Sequence, residues 1–423
     1  MRPEAGRGRR HPIVRAAMSA IALLVATPIA GQAPRPLERA LADAAVQAAL
    51  ADLDARRHET ARWLAAIGAI VSPSGQEHER ADAVAGRMRD IGLRDVQVDA
   101  SPNAIGRIPG RSGRAVVFVS TLDDLATVAE HQRAAMSPPR VEGARVVGPG
   151  TNTSATTAAM VAAAQALVAA QVRPEHDLVF AAVAQEETGL VGMKALYREY
   201  GDRAVAFVDI LGDGRSISYG AIGIHWWKIV ATGPPGHSLG GGLPNVNQGI
   251  GRAVDRILSL PHPTRHKEAR TVMNVAVIDS GTVFNHKPAT GWFSLDIRSL
   301  DAAVIDDIEG AVRRVLEDVT RETTIGFALE PFQLTPGGQI PGARDSTLVR
   351  TSEAIARHLG FDPQLSNAGS SNMNVAIAGG TPAIGLGGGR GGDRGTPAEW
   401  ADVPALIQTA RHVVLLAATI GGS

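Results

Sequence analysis

The chain has 423 residues, 44% hydrophobic and 20% charged, which is enough apolar content to bury a full core and to divide into two compact units. Lys plus Arg and Asp plus Glu each number 42, so no net field draws the chain to nucleic acid or to an anionic membrane, and attraction of a substrate must be local. The absence of cysteine excludes disulfides, thiolate metal sites and a cysteine nucleophile, and leaves the redox compartment open.

A basic stretch (Arg7, Arg9, Arg10, Arg15) precedes an apolar run from about Ala16 to Ala30 that is too short to span a bilayer comfortably. Residues 1–33 therefore read as an export signal cleaved near Ala30 to Ala33, with a retained anchor as the alternative. The expected mature protein is soluble, in the periplasm or outside the cell. Helical spacing runs from Pro36 to about Gly92 and is broken by Ser72-Pro73-Ser74-Gly75. Ala115 to Val119 and Asp177 to Val183 are continuous apolar runs, as expected of strands buried on both faces, with an alanine-rich helix from about Thr156 to Ala170 between them. Strand, helix, strand in that order predicts an α/β fold with a mostly parallel sheet, helices on both faces and ligands at the strands' C-terminal ends.

The character changes near Gly223. His225 to Val230 alternates, a helix follows from about Asn247 to Leu260, strands from Val272 to Ile278 and Trp292 to Ile297, and a helix from about Ala302 to Val319. This unit, 223–325, is expected to fold as an α+β sandwich inserted between the two parts of the larger domain, 34–222 and 326–423. Sheet signals resume at Ala383 to Leu386.

The most informative string is Gln185-Glu186-Glu187-Thr188-Gly189-Leu190-Val191-Gly192, where adjacent carboxylates end a buried strand before a glycine-marked turn. It is similar to the Glu-Glu-x-Gly-x-x-Gly signature of the di-zinc aminopeptidase, deacetylase and carboxypeptidase family, whose members include tripeptide aminopeptidase, acetylornithine deacetylase and glutamate carboxypeptidase. Thr121-Leu122-Asp123-Asp124-Leu125, Gly148 to Thr153, Gly233-Pro234-Pro235-Gly236-His237-Ser238, Asn247, Gly281 to Asn285, Asp296 to Ser299 and Gly369 to Asn372 resemble further family segments in the same order. The resemblance covers nearly the whole mature chain and lies closest to the tripeptide-aminopeptidase-like branch.

The resemblance implies that Glu186 is a general base, Glu187 a zinc ligand, and Asp209 a ligand of a second zinc, with Asp213 as fallback. The remaining ligand positions hold Thr121, Thr153 and Gly395 in place of histidine, aspartate and histidine. Neutral hydroxyls cannot bridge two dications, so no bound zinc is expected, and a single residual divalent metal on Glu187, Asp209 and Asp123 is the alternative. Asp123, Glu186, Glu187 and Asp209 are then expected to crowd one cleft, with Asp123 counted beside Glu186 and His237 as catalytic, and Arg390 and Arg394 beside Arg298, Asn247 and Asn285 as substrate-binding. One carboxyl held protonated, or a guanidinium from Arg390 or Arg394, would compensate, although a solvated arginine in a glycine loop is the competing account of that segment. His237 resembles a residue that reaches across a dimer to a developing oxyanion, and Arg298 one that holds a substrate carboxylate; Asn247 and Asn285 fall in the same substrate-facing strings. The Ser/Thr run from Thr151 to Thr157 reads as helix N-capping, not as a nucleophile. The expected protein is an exported hydrolase of amide bonds in short peptide-like or N-acyl amino acid substrates, a homodimer through the inserted unit, with an inactive ligand-binding or regulatory relative as the alternative.

Overall fold

A computed structural model of the chain describes residues 36–261 and 268–422, so the predicted signal at 1–33 lies outside the described residues. The large sheet runs in the order Arg94–Val98, Ala104–Ile108, Asp177–Val183, Ala115–Thr121, Ala204–Ile210, Ala383–Gly387, Ser216–Ser218, Gln364–Ser366. Its central pairings, Ala115–Thr121 with Asp177–Val183 and with Ala204–Ile210, and Ala204–Ile210 with Ala383–Gly387, are parallel; antiparallel pairs lie toward the edges. Alternation along the strands splits their side chains between two cores. Val116, Phe118, Leu178 and Phe180 face one, where the Phe118 and Phe180 rings stack at 5.4 Å, and Val117, Val119, Val179 and Ala181 face the other.

The alanine-rich helix is Thr151–Ala169 and starts earlier than the expected Thr156. The Ser/Thr run therefore does not cap it. Those hydroxyls lie inside the first two turns, buried: Thr157 Oγ1 donates to the Thr121 carbonyl at 3.1 Å and Thr156 Oγ1 to that of Thr153 at 3.0 Å. The N-terminus is satisfied from a distance by Glu399, whose Oε1 accepts from Asn152 N–H at 2.9 Å. Small side chains let this helix pack closely beneath Arg57–Gly68, Ala44–Ala55 and Val403–Thr419, which a polar N-cap pattern does not reveal.

The inserted unit forms its own antiparallel sheet, with Val272–Asn274, Thr290–Ser299, Gly223–Thr232 and Gly326–Thr335 in that order and Ile278–Ser280 also paired to Thr290–Ser299. Helices Val246–Leu258 and Ala302–Thr323 cover one face, burying Trp227, Ile229, Phe293, Leu295 and Ile297. This sheet extends past the expected limit of 325, because Gly326–Thr335 pairs along Gly223–Thr232. Pro331 and a register shift between Pro331 and Gln333 blunt its strand pattern, as an edge strand tolerates. Helix Thr347–His358 and strand Gln364–Ser366 are further elements that the periodicity did not mark.

Candidate active site

Strand Asp177–Val183 ends in a turn that carries Glu186 and Glu187 to the C-terminal edge of the large sheet. The glycines of the signature have separate physical reasons. Gly189 adopts φ +107°, and a Cβ on Gly192 would lie 2.2 Å from Asn103 Oδ1 and 2.6 Å from the Ala184 backbone. Buried Asn103 closes this turn, accepting from Ala184 N–H at 3.0 Å and donating to the Gly192 carbonyl at 2.9 Å. Glu77, also buried, accepts from Gln185 N–H at 3.0 Å and Gly75 N–H at 2.8 Å. Neither residue stands out in sequence, since a lone Asn or Glu on a helical or loop stretch carries no pattern.

Asp123 follows strand Ala115–Thr121 and is fully buried. Its Oδ1 accepts from Glu186 N–H at 2.9 Å, and its Oδ2 from Glu187 N–H at 3.1 Å and Ser74 Oγ at 2.6 Å. Its carboxylate thus anchors the acidic turn instead of standing free in the cleft. Next to it, Asp124 pairs with buried Arg80 at 2.6 Å.

Glu186 and Glu187 are half-buried and line a cleft of about 640 Å³ together with Ser74 and Ser371. The facing wall comes from the small sheet: Ile224, Trp226, Arg298, Gln333 and Thr335. Burial, reinforced by Glu187, Asp123 and Asp209, pushes the Glu186 carboxyl well above the usual carboxylate range. Burial also raises Glu187, against the pull of Arg394, whose Nη2 donates to Glu187 Oε1 at 2.8 Å. Arg390 is half-buried, and burial together with repulsion from Arg394 lowers it to about 10. Glu399 fastens the loop bearing both arginines, accepting from Gly395 N–H at 3.1 Å while its other oxygen holds the Thr151–Ala169 helix.

Asp209 does not line the cleft. It is buried, accepts from Met373 N–H at 3.1 Å at the start of helix Met373–Ala378, and is raised by burial to about 6. Asp213 pairs with Arg215 at 2.9 Å and accepts from Gly389 N–H at 3.1 Å. Thr121 Oγ1 accepts from Asn372 Nδ2 at 3.1 Å, and the Thr153 hydroxyl faces the Asp124 carboxylate. Among the described residues, no group of three or more His, Cys, Asp or Glu side chains is arranged to hold a metal ion.

Arg298 Nε donates to both Asp296 oxygens at 3.1 Å, and its two terminal nitrogens make no hydrogen bond among the described residues. His237 and Asn285 meet each other on the exposed side of the small unit, away from the cleft lining. Leu239 N–H donates to His237 Nδ1 at 3.1 Å, which leaves the proton of a neutral ring on Nε2. The Asn285 amide lies 3.0 Å from that Nε2 and 2.9 Å from His286 Nδ1, so a consistent network turns its oxygen to His237 and its NH2 to His286. Asn247 is exposed in the first turn of Val246–Leu258, its N–H on the Asn245 side chain at 2.9 Å, and does not reach the cleft.

The large sheet, mainly parallel with helices on both faces, thus carries an acidic turn at its strand ends opposite a smaller antiparallel sheet, a mixed α/β arrangement. The profile of Peptidase family M20/M25/M40 matches residues 123–419, and the chain belongs to that family. It is 24% identical over 330 residues to the succinyl-diaminopimelate desuccinylase of Corynebacterium glutamicum, covering 76% of this chain and 85% of that protein. In fold it is similar to aminopeptidase PepT from Bacillus cereus (TM-score 0.70, 20% identity, 85% of this chain and 97% of that one). The dipeptidase Dug1p from Saccharomyces cerevisiae is likewise similar (TM-score 0.66, 13% identity, 89% and 99%).

Proposed function

We propose that this chain is an exported hydrolase of amide bonds in short peptide-like or N-acyl amino acid substrates that works without the family's zinc pair. The observation that carries this reading is the Arg394 guanidinium on Glu187, which supplies positive charge where the resemblance puts a zinc ligand. The donor set argues the same way: the hydroxyls of Thr121 and Thr153 are turned to Asn372 and Asp124, Gly395 has no side chain, and only one oxygen of Asp209 is left after the other accepts from Met373 N–H. These groups do not fit a pair of zinc ions.

In the proposed reaction, ionised Glu186 takes a proton from a water as that water's oxygen attacks the substrate carbonyl, then returns the proton to the departing amine. Asp123 keeps the Glu186 backbone in place through the turn. Arg298 offers its terminal nitrogens to a substrate carboxylate. A homodimer through the inserted unit would bring His237 of the partner subunit toward the developing oxyanion. Exposed Leu239, Leu243, Val283 and Phe284, and the edge-strand residues Val272 and Ile278, supply the apolar surface such a contact needs.

Elemental analysis of the purified mature protein, with turnover of a small peptide panel with and without chelator, tests this reading. The expected result is little zinc and chelator-resistant hydrolysis. Stoichiometric zinc with chelator-sensitive turnover would refute it, and absence of both metal and turnover would favour a ligand-binding protein on the same cleft. On that sample, light scattering is expected to give a dimer, and intact mass of the protein expressed from all 423 residues is expected to give a chain shortened near Ala30 to Ala33; a monomer or a full-length chain removes the respective part.

A further inference from the structure

The small-sheet wall of the cleft carries an indole, Trp226, that the chemistry above does not use, and an exposed phenylalanine, Phe332, outside the lining stands beside it. Strand alternation turns Trp227 into the helix-covered core and Trp226 to the opposite face, where it lines the cleft. In register, Trp226 stands between Asp296 and Gln333, and Ile224 between Arg298 and Thr335, so these side chains share one face of three adjacent strands. Where the register shifts between Pro331 and Gln333, Phe332 is the additional residue, and such bulges re-aim side chains beside binding sites. Phe332 is 75% exposed and its ring centroid lies 6.3 Å from that of Trp226, tilted by 38°.

An isolated exposed phenylalanine is unremarkable. Here it extends a cleft-lining indole, and the Arg298 guanidinium carbon lies 5.8 Å from the same indole. Asp296 takes only the Arg298 Nε, which fixes the guanidinium plane and leaves its fork for an anion. A carboxylate anchor and an apolar platform therefore stand side by side. Asp296, next to Trp226 in register, disfavours an acidic side chain at that place.

We propose that Trp226 and Phe332 form a specificity subsite for the side chain of the substrate residue whose carboxylate Arg298 takes, so that preferred substrates end in an aromatic or large apolar residue. This rests on the reading of the cleft as a substrate site. Titration calorimetry on the full mature chain with N-acetylphenylalanine, N-acetylglycine and N-acetylphenylalaninamide tests it without requiring turnover. N-acetylphenylalanine is expected to bind about tenfold tighter than either of the others, a ratio within the reach of one apolar pocket and one carboxylate contact. Trp226→Ala is expected to erase most of the phenylalanine-over-glycine ratio. Phe332→Ala, at an exposed bulge, is expected to lower it roughly threefold.

Equal affinity for the phenylalanine and glycine ligands, or a ratio unchanged in both variants, overturns the subsite alone. Failure of all three ligands to bind overturns both the subsite and the substrate-site reading. Binding with the expected side-chain preference but no hydrolysis of any peptide supports the subsite while refuting the hydrolase.

Discussion

Glu186→Gln is expected to lower kcat/KM by about 10²- to 10⁴-fold, the usual contribution of a positioned general base. The loss should be chemical and not structural. Asp123 holds this turn through the Glu186 backbone N–H, at 2.9 Å, and no hydrogen bond to the Glu186 side chain supports the fold among the described residues. The substitution also removes a carboxyl that burial, Glu187, Asp123 and Asp209 all oppose as a charge. An acid whose folded-state pKa is raised stabilises the fold least once pH exceeds that raised value, because the unfolded chain has by then released a proton more readily. The variant's stability relative to the parent should therefore be greater at neutral pH than in acid, as read by urea midpoints. As a base Glu186 acts ionised, so parental kcat/KM should fall with decreasing pH at a value above that of an ordinary carboxylate. Wild-type turnover in Glu186→Gln would remove this residue from the chemistry.

Arg80→Met is expected to destabilise the protein by about 3–5 kcal/mol, the cost of leaving one member of a buried ion pair alone. Arg80 is 1% exposed and its partner Asp124 0%. Arg80 also donates to the Leu122 carbonyl at 2.8 Å and to that of Ile70, joining helix His78–Asp90 to the end of the strand that presents Asp123. Burial pushes Asp124 up and Arg80 is the strongest influence pulling it down, so the lone carboxyl would be driven to its neutral form. Asp124→Asn added to Arg80→Met should recover a substantial part of the loss, since no uncompensated charge remains. Guanidinium unfolding of both variants reads the coupling; a loss below about 1 kcal/mol for the single variant would show that the pair is not what holds the strand end.

Local pattern was a sound guide wherever one periodicity ran unbroken. The apolar runs at Ala115 to Val119 and Asp177 to Val183 are central strands, and the alternation at His225 to Val230 separates Trp226 from Trp227 as a half-buried strand must. The doubled carboxylate before Gly189 and Gly192 was legible because its backbone demands glycine at both places. Pattern failed at Thr151 to Thr157, where hydroxyls that look like caps are the interior of a buried helix, and at the limit of 325, beyond which the bulged edge strand Gly326–Thr335 still pairs with the inserted sheet.

The neighbours of the acidic turn were out of reach of sequence altogether. Arg394 and Glu187 are 207 positions apart, and Glu399 and Asn152 are 247 apart, yet each pair is in hydrogen-bond contact. Asp123 was visible as one more acid near the cleft, and only its distances to two backbone amides and Ser74 made it an anchor. Strand and helix propensity act over a few residues, so composition and periodicity determined the layers and the position of the Glu186–Glu187 turn. Charge compensation acts through space between segments that chain closure brings together, and that is why tertiary structure alone decided which carboxylate meets a guanidinium, which is tied to backbone and which faces the cleft.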